Sequence, residues 1–312
     1  MAKKELFSFP SKDGKTQIHA VRWKPESGEY KAVLQIVHGM IEYIERYEPF
    51  AEYMTEHGYL VVGHDHLGHG ESVQSKEDWG YFAPDPSDTL VSDIHTMRTI
   101  VQKENPGKPY FIMGHSMGSY MTRKYLSVYG TGLDGVIIMG TGYVPGKKAK
   151  FGIQVTSLLE KIRGERYHSK LVRSLTFDKP YKKYDLDGKD DKNSWLTKDS
   201  EVVKEYYSNP KCTFTFSVNA YKGLFEAVYF DAQPENIEKI PKDLPVFMVS
   251  GEDDPVGNLG EGVKHVYDTY KHAGIKDITW KLYKNDRHEI LNETDKEVVY
   301  QDILAWLNVH IV

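Results

Sequence analysis

Five consecutive residues, Gly114-His115-Ser116-Met117-Gly118, have the types and spacing that nucleophilic chemistry needs. A serine hydroxyl attacks a carbonyl carbon effectively only when a base takes its proton, and the base needs an acid to orient it. The G-x-S-x-G pattern follows an apolar run at 110–113 and precedes a stretch at 119–129 free of Gly and Pro. Strand, sharp turn and helix in that order are the context of a nucleophile elbow. There the serine holds a strained backbone, and the flanking glycines Gly114 and Gly118 let strand and helix approach closely. The plainer reading of Ser116 is a turn serine that caps a helix.

The partners of such a serine are expected downstream, first an acid and then a histidine. The apolar segment 244–249 runs into Ser250-Gly-Glu-Asp-Asp-Pro255, and a second strand pattern at 278–283 runs into Lys284-Asn-Asp-Arg-His288-Glu-Ile. Both loops lie just past the carboxyl ends of strands, where open α/β sheets place their sites. Glu252, Asp253 and Asp254 compete for the acid. Asp254 is the candidate because Pro255 fixes the turn behind it, and solvated loop charge is the plain reading of the other two. Of His265, His272, His288 and His310, only His288 follows a strand. The other three read as surface histidines on helical patterns.

These blocks carry a resemblance. His38-Gly39-Met40 after a strand, the pentad around Ser116, Gly251-Glu-Asp-Asp254-Pro-Val and Arg287-His288-Glu together resemble the α/β-hydrolase superfamily. The branch most similar holds bacterial lysophospholipases, monoacylglycerol lipases and serine aminopeptidases. His38-Gly-Met-Ile-Glu42-Tyr-Ile-Glu-Arg46-Tyr47 is similar to its H-G-x-x-E-H-x-x-R-Y signature, with Tyr43 in place of the second His, and Asp65-His-Leu-Gly-His-Gly-Glu-Ser72 matches its D-x-x-G-H-G-x-S block. The resemblance implies a Ser116–Asp254–His288 triad and an oxyanion hole made by the backbone N–H groups of Met40 and Met117. It implies no cofactor and no metal.

The elements that would position these residues alternate along the chain. An opening hairpin is read at 5–10 and 17–24, with Asp13-Gly14 at its turn. Strands at 32–37, 59–64, 110–114 and 135–140 then alternate with helical patterns at 46–57, 88–103 and 117–129. The alternation resumes with a strand at 245–250, a helix at 259–273, a strand at 278–283 and a helix at 294–308. This predicts an α/β fold, a mostly parallel central sheet with helices on both faces. Residues 1–144 and 236–312 are the expected core, and 145–235 the helical cap, or lid, inserted in it.

The insertion has its own character. Between Lys147 and Lys183 eleven Lys and Arg stand against three acidic residues, in a chain of formal charge −5. A basic lid of this kind suits transient contact with an anionic lipid surface or attraction of an anionic substrate. Solvated helix face, with Glu160 and Arg163 at i, i+3, is the plain alternative. Phe151, Val155, Leu158, Leu159 and Ile162 recur at helical spacing and either pack on the core, line an acyl tunnel or meet a lipid surface. Tyr and Trp are frequent here too, which suits a site that clasps an apolar group.

Composition narrows the remaining classes. Cys212 is the single cysteine among 312 residues, so no internal disulfide forms and nothing implies an oxidising compartment. The first residues carry positive charge without a following apolar region, and no apolar run approaches membrane-spanning length, so a cytoplasmic location is expected. The acidic balance and the lack of a recognised module argue against nucleic acid. His64-Asp65-His66-Leu67-Gly68-His69 resembles the H-x-H-x-D-H metal block of the metallo-β-lactamase fold, but Gly68 stands where that block has Asp. Bracing of a loop by His66 and His69 is the better reading. The expectation is therefore a carboxylic ester hydrolase acting on a small-molecule ester or lipid, with amide hydrolysis as a serine aminopeptidase, or small-ester or thioester hydrolysis, as the alternatives.

Overall fold

Five segments are buried along their whole length: Tyr59–His64 and the four that form the centre of the sheet, β3 (Ala32–Val37), β5 (Tyr110–His115), β6 (Gly135–Met139) and β7 (Val246–Gly251). Continuous burial of this kind requires cover on both faces. The remaining strands are β1 (Lys3–Pro10), β2 (Gln17–Lys24), β4 (Tyr59–His64) and β8 (Ile278–Tyr283). The computed structural model describes residues 2–178 and 181–311. The strands lie in the order β1-β2-β4-β3-β5-β6-β7-β8. The opening hairpin β1–β2 and the β2–β4 pair are antiparallel, and every other pair is parallel.

Helices α1 (Glu48–Glu56), α2 (Pro86–Glu104) and α3 (Met117–Tyr129) follow β3, β4 and β5. Between β6 and β7 come α4 (Gly146–Arg163), α5 (Lys170–Arg173), α6 (Ser200–Ser208), α7 (Val218–Asp231) and α8 (Pro234–Ile237). The chain then closes with α9 (Glu261–His272) and α10 (Lys296–Val309). One face of the sheet packs in a cluster with α2, α3, α7 and α9, and the other packs with α1 and α10. The expected strand-and-helix alternation is present, its boundaries moved by a residue or two.

The regular elements between β6 and β7 are helices joined by turns and irregular stretches, with one isolated bridge, Asp185–Ser194, among the described residues. It does not sit apart from the sheet: Phe216, Ala220, Tyr221 and Leu224 belong to the same apolar cluster as Val33 and Met121. The apolar stripe of α4 divides. Val155 and Leu159 pack against that cluster, whereas Phe151, Leu158 and Ile162 are exposed. Glu160 pairs with Lys222 of α7 at 2.9 Å and not with Arg163, whose guanidinium lies over Tyr167. Lys179 and Pro180, within the basic stretch, lie outside the described residues.

Candidate functional site

The turn between β5 and α3 has the geometry expected of an elbow. Ser116 sits at φ +53° and ψ −120°, a region that non-glycine residues rarely occupy. A Cβ on Gly118 would lie 2.1 Å from the Val37 carbonyl oxygen, and one on Gly114 would lie 2.3 Å from Thr122 Oγ1. Both positions must therefore be glycine for helix and strand to meet.

Beyond β7, Asp254 is fully buried while Glu252 and Asp253 are exposed. His288 Nδ1 lies 3.0 Å from both carboxylate oxygens of Asp254. Ser250 Oγ and the Val256 N–H also donate to that carboxylate, at 2.9 and 2.8 Å. Burial works against its ionisation, but the charge and hydrogen bond of His288 and these donors outweigh burial and hold the carboxyl below its ordinary value. His288 Nε2 is buried and makes no hydrogen bond among the described residues, so the expected Ser116–His288 hydrogen bond is not formed here. Such bonds are often long before substrate binds. Ser116 and His288 open on one cavity of about 1320 Å³, which Met40 and Met117 also line.

The loop after β3 is held from below. His38 bonds the Gly39 carbonyl through Nδ1 at 2.8 Å, and its Nε2 accepts the His66 N–H at 2.9 Å. The Gly39 N–H donates to Glu42 Oε1 at 2.5 Å. His66 and His69 were expected to brace the loop after β4 near the entrance; His69 does bond the Leu67 carbonyl of that loop, at 3.4 Å, but both rings are fully buried, and His66 also ties the loop to His38 of the loop after β3. No group of three or more His, Cys, Asp or Glu side chains among the described residues is arranged to hold a metal.

A sequence profile of the Hydrolase_4 family, described as serine aminopeptidase, S33, matches residues 28–295. The chain belongs to this family. Monoacylglycerol lipase of Mycolicibacterium smegmatis is 25% identical over 290 residues, covering 93% of this chain and 92% of its own length. Human monoglyceride lipase is 37% identical over a shorter stretch of 103 residues, 31% of this chain and 30% of its own. A solved carboxyl esterase from Bacillus coagulans, in complex with glycerol, superposes with a TM-score of 0.87 at 29% identity over 99% of each chain. The architecture is thus the α/β-hydrolase fold.

Within this Hydrolase_4 chain, the signature Glu42, Arg46 and Tyr47 forms a buried polar network that the sequence reading left without a role. Arg46 is bidentate to Glu289, at 2.8 and 2.7 Å, and bonds Glu42 at 2.9 Å. Glu42 also accepts the Tyr47 hydroxyl at 2.9 Å and lies 3.3 Å from His115 Nδ1. His115 Nε2 lies 3.2 Å from the His288 carbonyl oxygen, to which its N–H donates. Burial opposes charge throughout. Even so, Arg46 keeps Glu289 below its ordinary value, His115 and Arg46 keep Glu42 well below, and Glu42 raises His115. The network ties the loop after β3, the residue before Ser116 and the residue after His288 into one unit. Its sequence signal was the i, i+4 pair Glu42–Arg46; the third member, Glu289, has no local signal.

The D-x-x-G-H-G-x-S block is structural. Asp65 accepts the Ile44 and Glu71 N–H groups at 2.7 and 2.8 Å, and a Cβ on Gly70 would strike its carboxylate. Tyr43, the departure from the signature, accepts a hydrogen bond from Asn209 at 3.1 Å and so joins the signature loop to the segment after α6. His265 stacks on Tyr143 and lines the large cavity, whereas His272 and His310 bond backbone carbonyls of their own helices. No helix among the described residues is long and apolar enough to cross a membrane.

Proposed function

We propose that this protein cleaves carboxylic esters of lipids, of the monoacylglycerol or lysophospholipid kind, through an acyl-enzyme on Ser116. The observation that carries this is the Asp254–His288 pair, in which His288 keeps Nε2 without a hydrogen bond among the described residues and lines the same cavity as the strained Ser116. Ser116 Oγ attacks the ester carbonyl carbon while His288 Nε2 takes its proton, and the carbonyl electron pair moves onto oxygen. The N–H groups of Met40 and Met117 hold that oxyanion; the N–H of Gly39 is already committed to Glu42. Collapse expels the alcohol, which takes the proton from His288. Water, deprotonated by His288, then attacks the acyl-enzyme, releasing the acid and restoring Ser116. Asp254 fixes the His288 tautomer and steadies its charge.

Residues 145–235 are read as the cap of this site. The cavity exceeds the volume of an ordinary small-molecule pocket, and Val155, Val172, Leu224, Phe225 and Val228 give it apolar walls suited to an acyl chain. The relatives named monoacylglycerol and monoglyceride lipases support the same substrate class. Exposed Phe151, Leu158, Ile162 and Leu171 beside the basic residues of the cap support transient docking on an anionic lipid surface. Amide hydrolysis has less support. Four acidic groups of the cap that could hold a substrate amine are engaged: Glu160, Glu165 and Glu226 bond Lys222, Tyr81 and Ser87, and Asp178, which lines the cavity, pairs with Arg173.

The test is hydrolysis of p-nitrophenyl esters from two to sixteen carbons beside monoacylglycerol and amino-acid nitroanilides, with Ser116→Ala as blank. The expected maximum lies at eight carbons or longer. A maximum at two to four carbons removes the lipid substrate, nitroanilide turnover above ester turnover makes the protein an aminopeptidase, and full activity in the blank removes Ser116.

A further inference from the structure

The ring of His288 contacts two others. His115 is tilted against it, with centroids 4.7 Å apart and planes at 39°; Trp195 is stacked on it at 5.1 Å and 27°. Trp195 comes from the segment between β6 and β7 and is itself backed by Tyr181, at 5.6 Å and 11°, with Phe177 edge-on to both. All three aromatic residues line the large cavity.

The segment that carries Trp195 is stitched to the loop that carries His288. The Glu289 N–H donates to the Leu196 carbonyl at 2.7 Å, and Thr197 Oγ1 donates to the Asn292 carbonyl at 3.1 Å. The Lys198 N–H donates to Glu293 at 3.0 Å, and the Arg287 guanidinium donates to the carbonyls of Lys192, Ser194 and Thr197. A wall that only excludes water has no need of such attachment to the loop it covers. An interaction that decays with ring separation and tilt does.

We propose that Trp195 is a positioning residue whose π face steadies the imidazolium that His288 becomes when it holds the Ser116 proton. The inference rests on the reading of His288 as the base. An indole within about 6 Å of a cation attracts it through its ring quadrupole, more strongly than the other aromatic side chains do. The in-plane charge partner of His288 is Asp254, from the loop after β7. The neighbouring His115 imidazole is held by Glu42 toward its protonated form and so repels a cation. Glu289, in its own loop, is occupied by Arg46, and Tyr181 lies behind the indole. Of the two rings in contact with His288, the one that attracts a cation is therefore the stacked indole of Trp195.

The experiment compares Trp195→Leu, Trp195→Phe and wild type on p-nitrophenyl acetate, whose short acyl group leaves most of the cavity empty. Leucine keeps the surface apolar and removes the π face. It is expected to lower kcat about threefold to tenfold and to move the acidic limb of kcat/KM to lower pH by about half a unit, with phenylalanine recovering part of both. Independently, the emission that wild type shows and Trp195→Phe lacks is expected to be quenched as His288 gains a proton, along the same pH curve as the limb, and to lose that titration in His288→Gln. A limb moving to higher pH in Trp195→Leu would mean that the indole only excludes water. Phenylalanine no better than leucine, or emission without the titration, equally overturns the inference. An active His288→Ala overturns the base itself, whereas an inactive His288→Ala with an unmoved limb in Trp195→Leu overturns this inference alone.

Discussion

Two groups of buried histidines adjoin the loop after β3, and their surroundings are opposite. His38, His64, His66 and His69 pack ring against ring, with centroids 4.3 to 6.0 Å apart, and no carboxylate among the described residues bonds any of them. Burial, reinforced by their histidine neighbours, pushes His38 and His69 down to about 3 and depresses His64 and His66 well below the ordinary value. His115 and His288 are just as buried, but each faces a carboxylate, Glu42 or Asp254. For His115 the carboxylate wins over burial and raises it. Burial alone makes a neutral strut; burial with a carboxylate makes a group that can carry a proton inside the protein.

The sharpest break of that contrast is Asp254→Asn, which gives His288 the surroundings of a strut. Geometry survives, but the imidazolium loses its counter-charge and its fixed tautomer, so kcat/KM for the preferred ester should fall by about four orders of magnitude. Steady-state rates against Ser116→Ala as background measure it, and a loss under tenfold would remove Asp254 from the proposed triad.

Glu42→Gln tests the other carboxylate. It leaves Arg46 paired with Glu289 but takes the counter-charge from His115, and a buried ion network that loses one member is destabilised by about 3 kcal/mol. The pH dependence has a definite sign. The folded value of His115 is raised above 6.5, so the stability it contributes is fully present below 6.5 and disappears as pH rises through the raised value. Urea unfolding between pH 6 and 9 should therefore show that decline in wild type and a flatter curve in Glu42→Gln. Parallel curves would mean that Glu42 does not charge His115.

Which of these features the sequence shows depends on how far apart in the chain their partners lie. Ser116, Asp254 and His288 each sit in a contiguous block just past a strand, so strand pattern and motif together located them. Which of the three neighbouring acids pairs with His288 was legible through Pro255. Arg46 and Glu289, by contrast, lie 243 residues apart and meet only because their loops converge at the same end of the sheet. Trp195 looked like one aromatic residue among many until the stitched segment set it on His288. The stripe of α4 was legible as a face but not in its division: helical spacing does not say that Val155 and Leu159 find cover while Phe151, Leu158 and Ile162 stay exposed. His66 and His69 were legible as struts, yet their dependence on His38 required the β3 and β4 loops side by side.

The smallest expected effect concerns a strut. Neither ring nitrogen of His64 makes a hydrogen bond among the described residues, and the side chain packs beside Phe9 and His66. Leucine in its place removes no bond and adds apolar contact, so His64→Leu should change stability at pH 7.5 by less than about 1 kcal/mol. In acid the variant should gain. The folded value of His64 lies well below 6.5, so the unfolded chain takes up a proton that the folded chain refuses, and wild type loses stability as pH falls from 6.5 toward that depressed value. His64→Leu escapes that loss, and the difference between the two proteins should grow by about 1.4 kcal/mol per pH unit below 6.5. Urea unfolding at pH 7.5, 6 and 5 follows it. A constant difference over that range would mean that His64 is reached by water or by a partner that lets it charge, and the division between struts and proton carriers would fail at its simplest member.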